Sequence, residues 1–228
     1  MLAERIRASL SDKYRMLPQS FRFAVLARQR APLWRKAGIV FVHVPKVAGT
    51  SINLALYGQW MGHARARDVQ RWVPEDVKKL PRFAVTRNPW ERLVSAYRFV
   101  TRGRGIGGGF QATPWRPERY CIPEFETFER FVTEWLVKRH IWVDPVFQPQ
   151  SSWICDPGGN ILVDHVGRLE DLEPTMAFLK QHLGTAPDIG EGNRSGERVD
   201  YKSFYTTELA RLVGAVYYTD VAIFGYQF

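Results

Sequence analysis

Residues 45–51, with the sequence PKVAGTS, combine side chains that could bind a phosphate-like anion. Lys46 provides a positive charge, and Thr50 and Ser51 provide hydroxyl groups. The apolar residues 39–44 before them predict a buried strand, and a helix is expected to begin at Thr50 or Ser51. N–H groups at a helix N-terminus lack intrahelical partners, and the helix dipole favours negative charge there. The pattern therefore predicts an anion-binding loop, here called the cradle loop (residues 45–51).

A second strand, turn and helix follows the same plan. The mostly apolar residues 83–86 predict a short buried strand that ends at Arg87. Asn88 can cap the next helix, Pro89 suits its first turn, and the helix is predicted to continue over residues 90–100. The repeated plan places an arginine where the first unit has its lysine.

Arg87 and the cradle loop are expected to face one crevice. In open α/β sheets ligands bind outside the carboxyl ends of the strands, which is where Lys46 and Arg87 would both lie. The planar guanidinium of Arg87 matches a phosphate group, and Ser95 adds a hydroxyl from the following helix. The alternative for Arg87 is an arginine that only forms a salt bridge at the end of its strand.

The residues between and after these units suggest a base and an acceptor side. His63 follows the first helix, and histidine is the side chain most easily poised as a general base at neutral pH. The alternative is a structural or surface histidine. Residues 101–123 are rich in Gly, Pro and Arg and predict a long irregular loop, which is either a binding loop or simply a mobile one. Its candidate contacts to an acidic or sugar substrate are Arg102, Arg104, Trp115 and Arg116.

The remaining pattern predicts the elements that position these residues. A helix is predicted over residues 68–80 and an amphipathic aromatic helix over residues 124–140. A strand is expected over residues 160–166, then a helix over residues 172–183 that stops at Gly184. A last helix is predicted over residues 207–217. Strands alternating with helices indicate an α/β fold with a mainly parallel sheet.

The net charge of +9 is concentrated at the N-terminus. Residues 1–38 carry nine basic and two acidic residues, which leaves +2 for the rest of the chain. We expect a basic, helical arm over residues 1–37 and one catalytic domain over residues 38–228. Short helices are predicted in the arm before Pro32. The arm could touch nucleic acid or an anionic membrane surface, or it could be a solvated helix packed on its own domain.

Other features indicate a soluble, cytoplasmic protein. No apolar run approaches the roughly 20 residues that span a bilayer, and basic residues interrupt any signal-peptide core. The two cysteines, Cys121 and Cys155, are too few for a disulfide framework and lack metal-ligand spacing. They are expected to be reduced thiols.

Six motifs in order resemble the sulfotransferases that use 3′-phosphoadenosine 5′-phosphosulfate (PAPS). The resemblance covers residues 38–228, and it is greatest to the carbohydrate branch with heparan sulfate 2-O-sulfotransferase and chondroitin-type enzymes. It implies a P-loop-like three-layer fold with helices flanking the central sheet. The motifs are HVPKVAGTS (43–51), GHARAR (62–67), RNPWERLVSAYR (87–98), VDHVGRLEDL (163–172), NRS (193–195) and FGYQF (224–228).

The resemblance also implies roles for individual residues. Lys46 would contact the sulfonate and the bridging oxygen, and His63 would deprotonate the acceptor hydroxyl. Cradle-loop amides and hydroxyls would bind the 5′-phosphate, while Arg87 and Ser95 would bind the 3′-phosphate. The donor-binding set is Pro45, Lys46, Val47, Ala48, Gly49, Thr50, Ser51, Arg87, Ser95, Arg194 and Ser195.

The resemblance implies a reaction without a metal. The donor leaves as adenosine 3′,5′-bisphosphate, and the acceptor is a hydroxyl on a glycan or glycolipid. No nucleic-acid partner is expected, although the arm could make peripheral membrane contact. Golgi relatives carry a membrane anchor that is not seen here, so the resemblance implies a bacterial-type soluble enzyme. Relatives often carry His where this chain has Val146, so the base role depends more heavily on His63.

Two other functions compete with this one. A P-loop kinase-like phosphotransferase would share the fold, but the Gly-x-x-x-x-Gly-Lys-Ser/Thr motif is absent and Lys46 precedes Gly49. A non-enzymatic binder acting through the basic arm would leave the cradle loop and the Arg87 unit unexplained. A donor-binding protein without turnover is a third reading.

Overall fold

The computed structural model describes residues 19–102, 117–138, 140–189 and 200–228. No helix in these ranges is long and apolar enough to cross a membrane. The described chain is rich in helix around a small parallel sheet, in agreement with the predicted α/β fold. The division into an arm over residues 1–37 and a domain over residues 38–228 stays a prediction.

Three parallel strands form the sheet in the order β1-β2-β3, with β1 at Val40–Val42, β2 at Arg82–Thr86 and β3 at His165–Arg168. β1 is fully buried and β2 nearly so, which is why both are continuous apolar runs. β2 lies in the centre, with Phe41 beside Phe83 on one side and Thr86 beside Arg168 on the other. The first two strands were predicted nearly in place.

The third strand begins later than the predicted residues 160–166. Residues 155–161 turn back on themselves, because Cys155 and Ile161 form an isolated antiparallel bridge. The Asp156 carboxylate also accepts hydrogen bonds from the backbone and side chain of Asn160. This local turn uses the backbone groups that a longer strand would need.

The N-terminal helix α1 (Gln19–Ala37) is longer than predicted and continues through Pro32. It packs against three short helices: α2 (Gly49–Tyr57), α3 (Ala66–Trp72) and α4 (Glu75–Lys78). Tertiary packing explains its length, since its buried positions recur at helical spacing at Phe23, Ala27, Ala31 and Trp34.

Two predicted helices are broken in the structure. The helix over residues 68–80 is split into α3 and α4 at Pro74, which caps α4 and lacks the N–H that a continuous helix needs. The predicted helix over residues 124–140 was also wrong. The chain forms a 3-10 turn at Pro123–Phe125, helix α6 at Phe128–Arg130, a π-helical segment at Phe131–Leu136 and a 3-10 turn at His140–Trp142.

Packing around one ring accounts for the changes of pitch between residues 123 and 142. Phe125, Phe128 and Phe131 all contact Tyr97, with ring centroids 6.4, 5.4 and 5.3 Å away. Three rings at three-residue spacing would drift around a regular α-helix with 3.6 residues per turn. The burial predicted for these aromatic residues is confirmed, but their geometry is set by the partner they surround.

Long helix α5 (Pro89–Arg102) follows β2, and the predicted Asn88 cap is confirmed by the bond from Trp90 N–H to Asn88 Oδ1 (3.1 Å). Helix α8 (Glu173–Leu183) packs on β3 and ends at Gly184 with φ +79°, as predicted. The other described helical elements are a 3-10 turn at Pro117–Tyr120, α7 at Ser151–Ile154, a 3-10 turn at Tyr201–Phe204, α9 at Thr207–Val216 and α10 at Tyr218–Phe224.

The chain end returns to the carboxyl end of β2. Tyr226 OH lies 2.9 Å from Thr86 Oγ1, and Asn88 Nδ2 donates to the Gln227 carbonyl (2.8 Å). The Glu170 carboxylate accepts from Asn88 N–H and contacts Tyr226 OH. The C-terminal motif therefore holds the carboxyl end of β2 and the turn that leads into α5.

Candidate active site

The backbone of the cradle loop has an unusual shape for non-glycine residues. Lys46 and Ala48 have φ +71° and +58°, and Val47 between them does not have a positive φ. Left-handed backbone at such residues costs on the order of 1–3 kcal/mol and is concentrated at functional sites. Backbone of alternating hand turns successive N–H groups into a concave nest that suits anions. The strain is therefore consistent with an anion site.

Helix α2 begins within this loop, at Gly49. Its N-cap, Ala48, contributes no side-chain hydrogen bond to the first turn. Ser51 N–H donates to the Ala48 carbonyl (3.1 Å) in a tight first turn. The remaining first-turn amides have no intrahelical acceptors, so an anion could bind them. The helix was predicted to begin at Thr50 or Ser51, one or two residues later.

Gly49 is required by close packing. A Cβ atom at this position would lie 1.9 Å from Nε2 of His43. His43 is buried, and its Nδ1 lies 3.1 Å from Asn53 Nδ2 and 3.2 Å from the Gly62 carbonyl oxygen. The ring therefore fills the space under the cradle loop, which only a glycine leaves open.

Lys46 is half-buried and directed toward helix α5. Its Nζ lies 4.2 Å from the ring centroid of Phe99. In the described part of the chain the ammonium has no carboxylate partner. Burial, and then the neighbouring charge of Arg87, lower the pKa of Lys46 to about 8. The ammonium is therefore still mostly charged at pH 7.

Arg87 lies beside the cradle loop and is also salt-bridged. Its Nη1 donates to the Lys46 carbonyl (3.4 Å), and its Nη2 donates to Glu91 Oε1 (2.7 Å). Its Nε is buried and has no acceptor among the described residues. The structure thus contains both the salt bridge of the alternative interpretation and the shared crevice of the functional one. Ser95, two turns into α5, is half-buried, and its hydroxyl makes no hydrogen bond to the described residues.

His63 is oriented by the strand that leads into the cradle loop. Its Nδ1 lies 3.1 Å from the His43 carbonyl oxygen. Because a carbonyl only accepts, Nδ1 carries the proton and Nε2 keeps a lone pair. Burial lowers the pKa of His63 to about 4, and nearby Arg30 and Lys46 act in the same direction. The ring is neutral at pH 7, as a general base must be.

Aromatic rings form the wall around His63. Its ring centroid lies 4.2 Å from that of His43, 5.3 Å from Trp60 and 5.7 Å from Trp153. Trp60 is 37% exposed and stands perpendicular to the His63 ring. The candidate base therefore lies in a largely apolar pocket with one partly exposed indole at its side.

Arg92 is a site residue that the sequence did not reveal. It is 1% exposed, and its guanidinium donates to the carbonyls of Pro45 (3.5 Å), Val146 (3.2 Å) and Gln148 (2.8 Å). An arginine within a helix is normally a surface residue, so no pattern marked it. It fastens the cradle loop to residues 144–150.

The segment at residues 144–150 supports the site from behind. The Gln150 side chain accepts from Arg87 N–H (2.9 Å) and donates to the Arg87 carbonyl (2.8 Å), like a strand partner. Asp220 in turn accepts from the backbone of Gln150 (2.7 Å). Val146, the position at which the family resemblance raised a histidine, is buried in the core. The structure therefore has no histidine base at that position.

Several predicted site residues lie outside the described residues. Their roles stay predictions: the side chain of Arg102, together with Arg104, Trp115, Arg116, Arg194 and Ser195. The described ranges hold no group of three or more His, Cys, Asp or Glu side chains that could bind a metal. The described core of the site is therefore Lys46, His63, Arg87 and Ser95 around the cradle loop.

Comparison with known proteins assigns the family. A family model described as the sulfotransferase family matches residues 33–227, most of the chain. No curated protein and no solved structure matched the chain. Members of this family are enzymes that transfer sulfuryl groups, in general from PAPS, and the match spans both strand–turn–helix units and the C-terminal motif. The chain therefore belongs to the sulfotransferase family.

Proposed function

We propose that this sulfotransferase moves the sulfuryl group of PAPS to a carbohydrate hydroxyl, on a glycan or glycolipid, with Lys46 and His63 as its catalytic residues. One observation carries the proposal. The His43 carbonyl orients His63, and three residues later the same segment turns Lys46 into the cradle loop. A cation and a neutral base are thus held by a single stretch of backbone.

The proposed reaction is an in-line displacement. His63 Nε2 takes the proton of the acceptor hydroxyl while its oxygen forms a bond to sulfur. The bond between sulfur and the bridging oxygen of the 5′-phosphate breaks, and that oxygen leaves with the electron pair. Lys46 offsets the charge that develops there. Such transfers need positioning and charge stabilisation more than covalent help from the protein.

The far end of the donor is proposed to bind at α5. Arg87 offers the 3′-phosphate a guanidinium held by Glu91, while Gln150 fixes the Arg87 backbone. Ser95 offers a hydroxyl. The amides of the cradle loop would bind the 5′-phosphate. Recognition at two ends would distinguish PAPS from nucleotides without a 3′-phosphate.

The acceptor proposal has separate support. The resemblance to carbohydrate sulfotransferases favours a sugar hydroxyl, and Trp60 places a partly exposed aromatic ring beside His63. Aromatic side chains with a few placed polar groups are typical walls of a ligand site. The arginines of residues 102–116 are proposed to contribute contacts to an anionic sugar.

Ligand-induced stabilisation tests the donor. Adenosine 3′,5′-bisphosphate at about 100 times its dissociation constant should add about 2.7 kcal/mol to the free energy of unfolding. For a chain of this size that corresponds to a rise of roughly 5–10 °C in Tm. Adenosine 5′-phosphate is the matched control and should stabilise less. A rise with ATP and magnesium but none with the bisphosphate would refute the proposal and favour a phosphotransferase.

Transfer assays test the acceptor. Sulfur-labelled PAPS should label members of a panel of heparan-type and chondroitin-type glycans and glycolipids. Labelling of a tyrosine peptide or a small phenol alone would replace the carbohydrate part of the proposal and leave the donor part intact. Donor binding without any labelled product would favour a binding protein without turnover.

A further inference from the structure

The Lys46 ammonium lies on an aromatic ring that no motif identified. Phe99 is on α5, one turn after Ser95, and is half-buried against the core. Lys46 Nζ is 4.2 Å from the centroid of this ring. A cation at this distance over a ring face is attracted by the ring quadrupole, and more strongly where water is excluded.

The surroundings of Lys46 make this contact important. An ammonium has three donors and no acceptor, so burial is costly unless something stabilises its charge. The charged or titratable groups around it are Arg87, whose Nη1 reaches the Lys46 carbonyl, and His43 and His63 below the loop. Arg92 holds the preceding residue of the loop. None of these groups is an anion, and the nearby Glu91 carboxylate on α5 is paired with Arg87. Among the described residues the Phe99 ring is therefore the attractive contact of the ammonium.

We propose that Phe99 is a positioning residue for Lys46, whose ring holds the ammonium charged and inside the cradle loop until the donor arrives. The sulfonate and bridging oxygen of the donor then take over from the ring. This inference rests on the proposed role of Lys46. It predicts that an aliphatic residue of similar bulk at position 99 lets the ammonium lose its proton more easily.

Amine labelling of donor-free protein tests the contact directly. Acetic anhydride modifies only the neutral amine, so the yield at Lys46, read by mass spectrometry across pH, reports its titration. The midpoint in the wild-type protein is expected near pH 8. In Phe99→Leu it should fall by about one pH unit, which makes Lys46 about fivefold more reactive at pH 7. Phe99→Tyr keeps the ring and should keep the midpoint.

Two controls keep the result interpretable. Lys78, which pairs with Glu75 on the surface, should label identically in every variant. Circular dichroism and Tm show whether Phe99→Leu is folded, and Phe99→Met provides a second aliphatic variant if it is not. An unchanged Lys46 midpoint in the folded aliphatic variant would overturn the proposal and reduce Phe99 to packing.

Turnover provides the second readout. Phe99→Leu should lower kcat/KM for the donor by up to about tenfold above pH 7 and move the alkaline limb of its pH profile to lower pH, because kcat/KM reports the donor-free enzyme. The change in kcat should be smaller, since the bound donor has then replaced the ring. An unmoved alkaline limb would contradict the proposal. If the proposed function is wrong, adenosine 3′,5′-bisphosphate will not stabilise the wild-type protein. The labelling result needs no donor, so it tests the Phe99 contact separately.

Discussion

The proposed donor side of this site, around the cradle loop and Arg87, and the proposed acceptor side, around His63, are built in different ways. The donor side consists of two local units, β1 with α2 and β2 with α5, and each places its cation within a few residues of a strand end. The acceptor side is assembled from distant segments. The His63 ring contacts Trp153. Arg65 donates a hydrogen bond to Gln148, and Tyr120 donates one to the Asp144 carboxylate. Backbone geometry builds one side, and side-chain contacts over long separations build the other.

This difference has a consequence for mutations. A substitution on the donor side removes a charge or a hydrogen-bonding group, while the strands and helices that shape the cradle loop remain. On the acceptor side the same side chains that could serve the substrate also hold segments together. Substitutions on the donor side should therefore change binding or turnover more cleanly than those on the acceptor side.

The largest effect is expected at Lys46. Lys46→Met keeps the stem and removes the charge, so kcat should fall about 10³-fold, as when a group stabilising transition-state charge is lost. The Tm should change little, because the ammonium has no carboxylate partner in the described chain. Lys78→Met is the matched surface control. A kcat within tenfold of wild type would remove Lys46 from the proposed mechanism.

His63 tests the acceptor side. His63→Ala should lower kcat by about 10²-fold, the usual contribution of a general base, with less effect on the donor Kd. His165→Ala is the control. His165 lies on β3 and its ring contacts Thr175 of α8, away from the crevice. Because burial lowers the pKa of His63 to about 4, wild-type kcat should hold between pH 7 and pH 5 and decline only near pH 4. An acid limb centred near pH 6.5 would contradict the assignment.

The same histidine links pH to folding. Its pKa is lower in the folded state than the unfolded value of 6.5, so the unfolded chain binds more protons between these values. Stability is therefore complete above about pH 6.5 and falls as the pH drops toward 4. Urea unfolding at pH 5 and pH 7 should show a smaller difference in His63→Ala than in wild type. Part of the dependence should remain, because burial also lowers the pKa of His43.

The two sides also differ in how much of them could be predicted. The cradle loop, Arg87 and the Asn88 cap followed from residue order, because strand ends and helix starts are local features. Arg92 and Gln150 carried no signal, since their partners are backbone groups about 50 and 63 residues away. The aromatic segment was predicted as one helix because its apolar spacing resembles a helix, but the packing around Tyr97 decided its pitch.

Phe99 belongs to the same lesson. On sequence it is one more apolar residue of an amphipathic helix. Only the left-handed backbone at Lys46, which aims the side chain at α5, turns the ring into a partner for a cation. Even on the donor side, the contact between Phe99 and Lys46 could therefore be found only in the structure and not in the local sequence pattern.

Gly49 tests whether the cradle loop depends on His43. Gly49→Ala should destabilise the fold by about 3 kcal/mol, the upper range for overpacking, since its Cβ would meet the buried ring. The double variant Gly49→Ala/His43→Ala should lose less unfolding free energy than the sum of the losses in the two single variants, because removing the ring makes room for the new Cβ. Gly58→Ala, with φ +69° and no atom within 4 Å of the new Cβ, should cost only about 1 kcal/mol. A loss of unfolding free energy at Gly49→Ala no larger than at Gly58→Ala would show that the His43 ring moves aside and does not limit position 49.

The smallest and cleanest effect is expected at Arg87, and the same strand provides its control. Arg87→Ala should weaken the binding of adenosine 3′,5′-bisphosphate by about 10- to 100-fold, since charge-assisted hydrogen bonds contribute roughly 1.5–3 kcal/mol. Binding of adenosine 5′-phosphate should change little, so the preference for the 3′-phosphate collapses. Arg82→Ala removes an arginine at the opposite end of β2, where it lies 3.9 Å from Asp164, and should leave both ligands unaffected. Equal weakening of both ligands in Arg87→Ala would mean that Arg87 serves the cradle loop through the Lys46 carbonyl instead of the 3′-phosphate. In that case the donor side would depend on side-chain contacts as the acceptor side does.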